Sequence, residues 1–161
     1  MASRDGEHFS HLDEAGSAHM VDVSGKAVST RTASARGRVE VSAQVVELLR
    51  GDGVPKGDAL AVARIAGIQG AKRTPDLIPL CHPLPIDAVS VDLEVTDDAV
   101  VIRSSVTTTA RTGVEMEALS AVAVAGLTVV DMVKSVDKHA RITDIEVIAK
   151  SGGRSGNWSI E

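Results

Sequence analysis

Aromatic side chains are almost missing from these 161 residues: one phenylalanine, one tryptophan and no tyrosine, 1% of the chain. A core must therefore come from Val, Ala, Leu and Ile, within a hydrophobic content of 43%. The shortage also argues against platforms on which bases stack. There is one cysteine, Cys81, so no internal disulfide can form and nothing asks for an oxidising compartment. No apolar run reads as long and charge-free enough to span a bilayer. The opening "MASRDGEHFSHLDEAG" lacks the apolar stretch of a signal peptide. Together these absences predict a cytoplasmic protein. Positive charge is not in excess either: the net charge of −5 argues against a general nucleic-acid surface. A small anionic ligand held by a local cluster of cations remains open. Internal repeats and a glycine-rich nucleotide loop are lacking, and "GDGVPKG" does not fit the Walker pattern.

What is present fits one domain with a real core. Residues 1–18, polar and rich in Gly, Ser and His, read as a mobile leader, with a single domain over 19–161. "MVDVSGKAVSTRTASARGRVEV" is strand-like but broken. "SAQVVELLRGDG" reads as a short helix capped by Ser42 and stopped by Gly51 or Gly53. "DALAVARIAGIQGAKR" reads as a second helix, capped by Asp58 and ended by the prolines that follow. In "AVSVDLEVT", Val89, Val91, Leu93 and Val95 alternate with polar residues, as in a half-buried strand. Asp97-Asp98 can turn into the β-branched "AVVIRSSVTTT". A long helix over "TGVEMEALSAVAVAGLTVVDMVKSVDK", a strand over "ARITDIEVIAK" and a flexible glycine-rich tail complete the chain. The order β-α-α-β-β-α-β predicts an α+β fold, an antiparallel sheet with helices packed on one face.

Four of the five prolines fall within "PDLIPLCHPLP", residues 75–85, around Cys81 and His82. Pro79 and Pro83 fix the backbone on both sides, so the His82 imidazole is held in one direction. A merely rigid turn would look the same. One Cys-His pair does not supply the three or four ligands of a metal site, and His8, His11 and His19 stand in the leader. Lys56 stands two residues before Asp58, where the start of a helix favours phosphate. An exposed loop lysine explains it as simply. Thr112 and Glu115 fit a capping box, a structural account of Glu115.

Glu117 has no such account. Asp131 and Lys134 sit on a helix apolar nearly all round, so their burial would demand a purpose. Glu117 and Asp131 are 14 positions apart. That leaves them about 40° apart round the helix and roughly 21 Å apart along it. Two antiparallel copies of the helix would bring Glu117 of one chain near Asp131 of another. The candidate set of cations (Arg31, Lys56, Lys72, Arg73, Arg111, Lys134, Lys150, Arg154), carboxylates (Glu115, Glu117, Asp131) and one rigid histidine suits a polyphosphate joined to a ring with adjacent N–H donors.

The stretches "MVDVSGKA", "KGDALAVARIAGIQGAKRTPDLIPLCHPLP", "TGVEMEALSAVAVAGLTVVDMVKSVDK" and "AKSGGRSG" together resemble the cyclic pyranopterin monophosphate synthase family, the molybdenum cofactor biosynthesis protein C family. "IPLCHPL" and "GVEMEAL" are the most specific, and the resemblance spans residues 10–161. Pro75 and Pro85 depart from the family pattern. The resemblance implies a ferredoxin-like fold and a lyase of molybdopterin biosynthesis. That lyase converts 3′,8-cyclo-7,8-dihydro-GTP to cyclic pyranopterin monophosphate with release of diphosphate. It implies dimers assembling to a homohexamer with the site at the dimer interface. It implies no required metal or redox cofactor, with Mg²⁺ on the triphosphate plausible, and no nucleic-acid or membrane partner. By resemblance, Lys56, Asp131 and Lys134 are catalytic. Leu80, Cys81, His82, Met116, Glu117 and Glu115 contact substrate, and Arg31, Lys72, Arg73, Arg111 and Lys150 surround the triphosphate. Two rivals stand beside this reading: a non-catalytic nucleotide-binding regulatory domain, and a thiol or metal enzyme centred on Cys81 and His82.

Overall fold

The computed structural model describes residues 9–51 and 56–160, with residues 56 and 57 described by backbone only. A long strand β1 (Ser29–Glu40) leads into helix α1 (Ala43–Arg50), helix α2 (Lys56–Lys72) and a single helical turn, α3 (Thr74–Leu77). Strands β2 (Ile86–Val95) and β3 (Ala99–Ala110) form a hairpin. Helix α4 (Glu115–Val133), strand β4 (Arg141–Ser151) and a two-residue strand β5 (Trp158–Ser159) follow. The sheet runs β2-β3-β1-β4-β5, antiparallel at every pairing. With helices on one face, this is the expected α+β, ferredoxin-like arrangement.

The sheet alternates as a half-buried sheet must. Ala33, Ala35 and Val39 of β1, Val91 of β2, and Val100, Ile102 and Val106 of β3 are buried beneath the helices. The other face carries charge, with Arg36 paired to Glu146 at 2.7 Å and Arg38 to Asp98 at 2.8 Å. A core without aromatic bulk closes by bringing backbones together. A Cβ at Gly37 would fall 2.6 Å from Val122 Cγ1, so α4 seats close on β1. The face that α2 turns to α4 is small throughout: Ala59, Ala63, Gly67, Gly70, Ala71. Side chains at 67 or 70 would meet the carbonyls of Ala121 and Ser120. Helix α4 has the length and hydropathy of a membrane-spanning helix, contrary to the sequence reading. Here nine of its residues, from Glu117 to Val133, are buried as the central helix of the core.

Several local expectations are corrected. Ser42 does cap α1, accepting from Val45 N–H at 3.4 Å, and Gly51 ends it. Asp58 does not cap α2, because the helix already begins at Lys56 and Asp58 falls in its first turn. Residues 52–55, including the stop foreseen at Gly53, lie outside the described residues. The proline stretch opens with a helical turn, since Pro75 stands in the first turn of α3, where its missing N–H costs nothing. The glycine-rich tail is not wholly irregular: Trp158 and Ser159 pair with Lys150 and Ala149.

Candidate functional site

A cavity of about 230 Å³ opens where the proline loop meets the start of α4. Leu80, Cys81 and His82 line one side, and Glu115, Met116 and Glu117 another. All six loop and helix residues expected to contact a substrate therefore meet in one place. The proline loop is held from below: Cys81 N–H donates to the Ile78 carbonyl at 3.1 Å, and Ile78 N–H to Thr74 at 2.9 Å.

The capping box is not formed. Val114 is the N-cap of α4 and no side chain caps it; Thr112 Oγ donates to the neighbouring Gly113 carbonyl instead. Glu115 is drawn away by Lys150, whose Nζ donates to Oε1 at 2.5 Å. That pair is largely shielded, with side-chain exposures of 16% for Lys150 and 31% for Glu115. A partly buried ammonium is a stronger attraction than a local backbone N–H. Gly113 is needed beside it, because a Cβ there would collide with the Glu115 carboxylate.

Glu117 is 3% exposed, and no ion pair to it is found among the described residues. Burial pushes its carboxyl up to about 7, and the charge of Glu115 adds to the rise. Burial likewise raises the Cys81 thiol, with Glu117 contributing. A thiol so placed is a poor nucleophile. Cys81→Ser is therefore expected to keep most activity, while His82→Ala loses it. Steady-state rates of the two variants check this, and equal severe losses would point back to sulfur chemistry.

Lys26, unremarked in the sequence beyond its place in "VSGKA", lines this cavity and a second one. The second, about 470 Å³, is bordered by Arg31, Arg154 and Gly153. Arg31 Nε donates to the Ala110 carbonyl at 3.1 Å. Gly153 has φ +80°, and a Cβ there would strike the Arg31 guanidinium. Arg111 donates to the Lys26 carbonyl at 3.1 Å and, with His82 and Asp22, borders a shallower recess. Asp22 is held below the usual carboxylate range, first by the Ser24 amide and in small part by His82.

Among the described residues, Asp131, Lys134, Lys72 and Arg73 do not line these cavities. Asp131 and Lys134 are exposed rather than buried, 67% and 65%, and pair with each other at 2.5 Å. Contrary to expectation, neither is buried with the apolar helix: they sit where α4 runs past its cover. Lys72 and Arg73 are exposed at the end of α2. Lys56 is the first residue of α2, not a residue ahead of it, and its side chain lies outside the described residues.

The MoaC family model matches residues 20–153. The chain is 70% identical over 153 residues to a cyclic pyranopterin monophosphate synthase of Streptomyces avermitilis, covering 95% of this chain and 90% of that one. It is 58% identical to the protein of the same name from Corynebacterium glutamicum strain R, covering 95% and 98%. It is 57% identical over 156 residues to cyclic pyranopterin monophosphate synthase 2 of Mycobacterium bovis, covering 97% and 93%.

Proposed function

Because this chain belongs to the MoaC family, we propose that it is the lyase that turns 3′,8-cyclo-7,8-dihydro-GTP into cyclic pyranopterin monophosphate and diphosphate, in molybdenum cofactor biosynthesis. One observation carries the reading to this chain's own residues. A cavity lined by Glu115 and Glu117 shares Lys26 with a neighbouring cavity bordered by Arg31 and Arg154. The first suits a ring with adjacent N–H donors, since a carboxylate accepts two parallel bonds. The second suits the triphosphate. Arg111 and Lys150 extend the positive border, and Lys72 and Arg73 would join it from the end of α2.

In the proposed reaction, Asp131 and Lys134 move protons during the ring rearrangement. Lys56 then promotes attack of a ribose-derived hydroxyl on the α-phosphate. The hydroxyl gives up its proton to solvent as the new P–O bond forms and the bond to the β-phosphate breaks, and diphosphate leaves with the electron pair. In this reading no resident metal or redox cofactor takes part, and Mg²⁺ would arrive on the triphosphate.

The site is proposed to be completed by a second copy of the chain, in dimers assembling to a hexamer. Two observations support that. Asp131 does not line the cavity that Glu117 lines. Val62 and Ile65 of α2 and Leu127 and Met132 of α4 are 44–60% exposed, apolar surface that a partner would cover. The single cysteine suits a reducing compartment, and the reading places the protein in the cytoplasm.

The test is direct. Purified protein incubated with the cyclised GTP derivative should release one diphosphate per substrate and yield the cyclic monophosphate, read by phosphate NMR. A protein that binds the compound without releasing diphosphate would be the regulatory-domain rival.

A further inference from the structure

The stretch before the family match is not featureless. From Phe9 to His19 the chain folds into a closed turn. Asp13 Oδ1 accepts from Ala15 and Ser17 N–H at 2.9 and 2.8 Å. Asp13 N–H donates to Ser17 and His19 N–H to His11, both at 2.9 Å, and Leu12 bridges Ala18. Gly16, at φ +80°, makes the reversal. This turn carries Ser10 and His11 to the wall of the carboxylate-lined cavity.

The imidazole of His11 is oriented there. Its Nδ1 lies 3.3 Å from the His19 carbonyl oxygen. A carbonyl only accepts, so Nδ1 carries the hydrogen, and in the neutral ring Nε2 keeps a lone pair. The turn thus uses one ring nitrogen and leaves the other, Nε2, without a hydrogen-bond partner among the described residues, on a residue that lines the cavity. His19, the other histidine described in this segment, does not line it.

We propose that His11 is a substrate-binding residue, its Nε2 accepting a hydrogen bond from a ring N–H of the bound nucleotide. The proposal rests on the functional reading above and adds a wall to its site. Glu115 and Glu117 approach the ligand from the start of α4, and His82 from the proline loop. His11 comes from a separate segment, so the ring would be fixed from three sides rather than two.

Three variants separate binding from a structural role. Asn at position 11 keeps a donor near Nδ1 for the His19 carbonyl but has nothing at Nε2. Gln places an amide near Nε2, and Ala has neither. Calorimetric binding of the cyclised nucleotide should weaken about tenfold in His11→Ala and His11→Asn, and by less than about threefold in His11→Gln. KM should rise in step while kcat changes little, and melting temperatures should stay together. Wild-type affinity in His11→Asn, or a His11→Gln as weak as His11→Ala, overturns the proposal. So do three variants that all bind like an active wild type. A wild type that neither binds nor turns over the compound overturns the functional reading, and this proposal with it.

Discussion

Asp131→Ala is expected to lose turnover on the order of a thousandfold, the range in which a positioned acid or base contributes. Its fold should be untouched. Asp131 is two-thirds exposed and its one described partner is the equally exposed Lys134, so deleting the pair costs at most about 1 kcal/mol. A large loss of rate with no loss of stability would mark a residue that acts on something outside its own chain's core. The decisive form of the experiment uses two dead variants. Glu117 lines the cavity near the start of α4, and Asp131 stands roughly 21 Å further along the same helix. If antiparallel copies share the site, Glu117→Ala and Asp131→Ala fail for different halves of it. Refolded together, a mixed dimer has one site with both defects and one with neither. Random pairing makes half of the dimers mixed, so about a quarter of wild-type sites should return, with the sites uncoupled. A refolded mixture as dead as its parents, beside a wild type that recovers, would show that both residues serve one chain's site.

Glu117→Gln is expected to remove a pH dependence from both stability and activity. The cause is burial, which pushes the Glu117 carboxyl up to about 7 from the ordinary glutamate value of 4.5. The direction follows from proton counting. Between those two values the unfolded chain has released this proton and the folded chain still holds it. Stability therefore falls as pH rises through the window, by up to about 3 kcal/mol, and levels off above pH 7. Glu117→Gln has no such proton to lose. Its stability relative to wild type should grow between about pH 4.5 and 7 and then stay constant, as urea midpoints would show. Activity should move the other way. An ionised Glu117 accepts ring N–H bonds, so wild-type kcat/KM should rise with a midpoint near 7, while the Gln variant stays low and flat. A stability difference that is level across this range would mean that Glu117 ionises like an exposed glutamate.

Much of this protein is legible one segment at a time. The alternation of Val89, Val91, Leu93 and Val95 set strand β2, the turn at Asp97-Asp98 set its partner, and Ser42 and Gly51 set the ends of α1. Those signals are local: a period of two, a cap within three residues, a tight reversal. The family resemblance assigned both the proline loop and "GVEMEAL" to the substrate, and the two line one cavity. What failed were inferences that needed to know a neighbour. Glu115 leaves its expected capping box because Lys150, 35 residues away, offers a shielded ammonium. Asp131 and Lys134 are exposed because burial of α4 depends on where the sheet and α2 end, which no helical period encodes. His11 reads as part of a polar leader until Asp13 closes the turn that carries it to the cavity wall. The sequence by itself determined the main elements and their order, which follow from periodicity, and its motifs, through the family resemblance, pointed to six of the residues around the cavity. Only the tertiary structure decided which charges pair, which stand free of the core, and which distant segment completes the wall. Those outcomes depend on distance and burial, set only once the whole chain has packed.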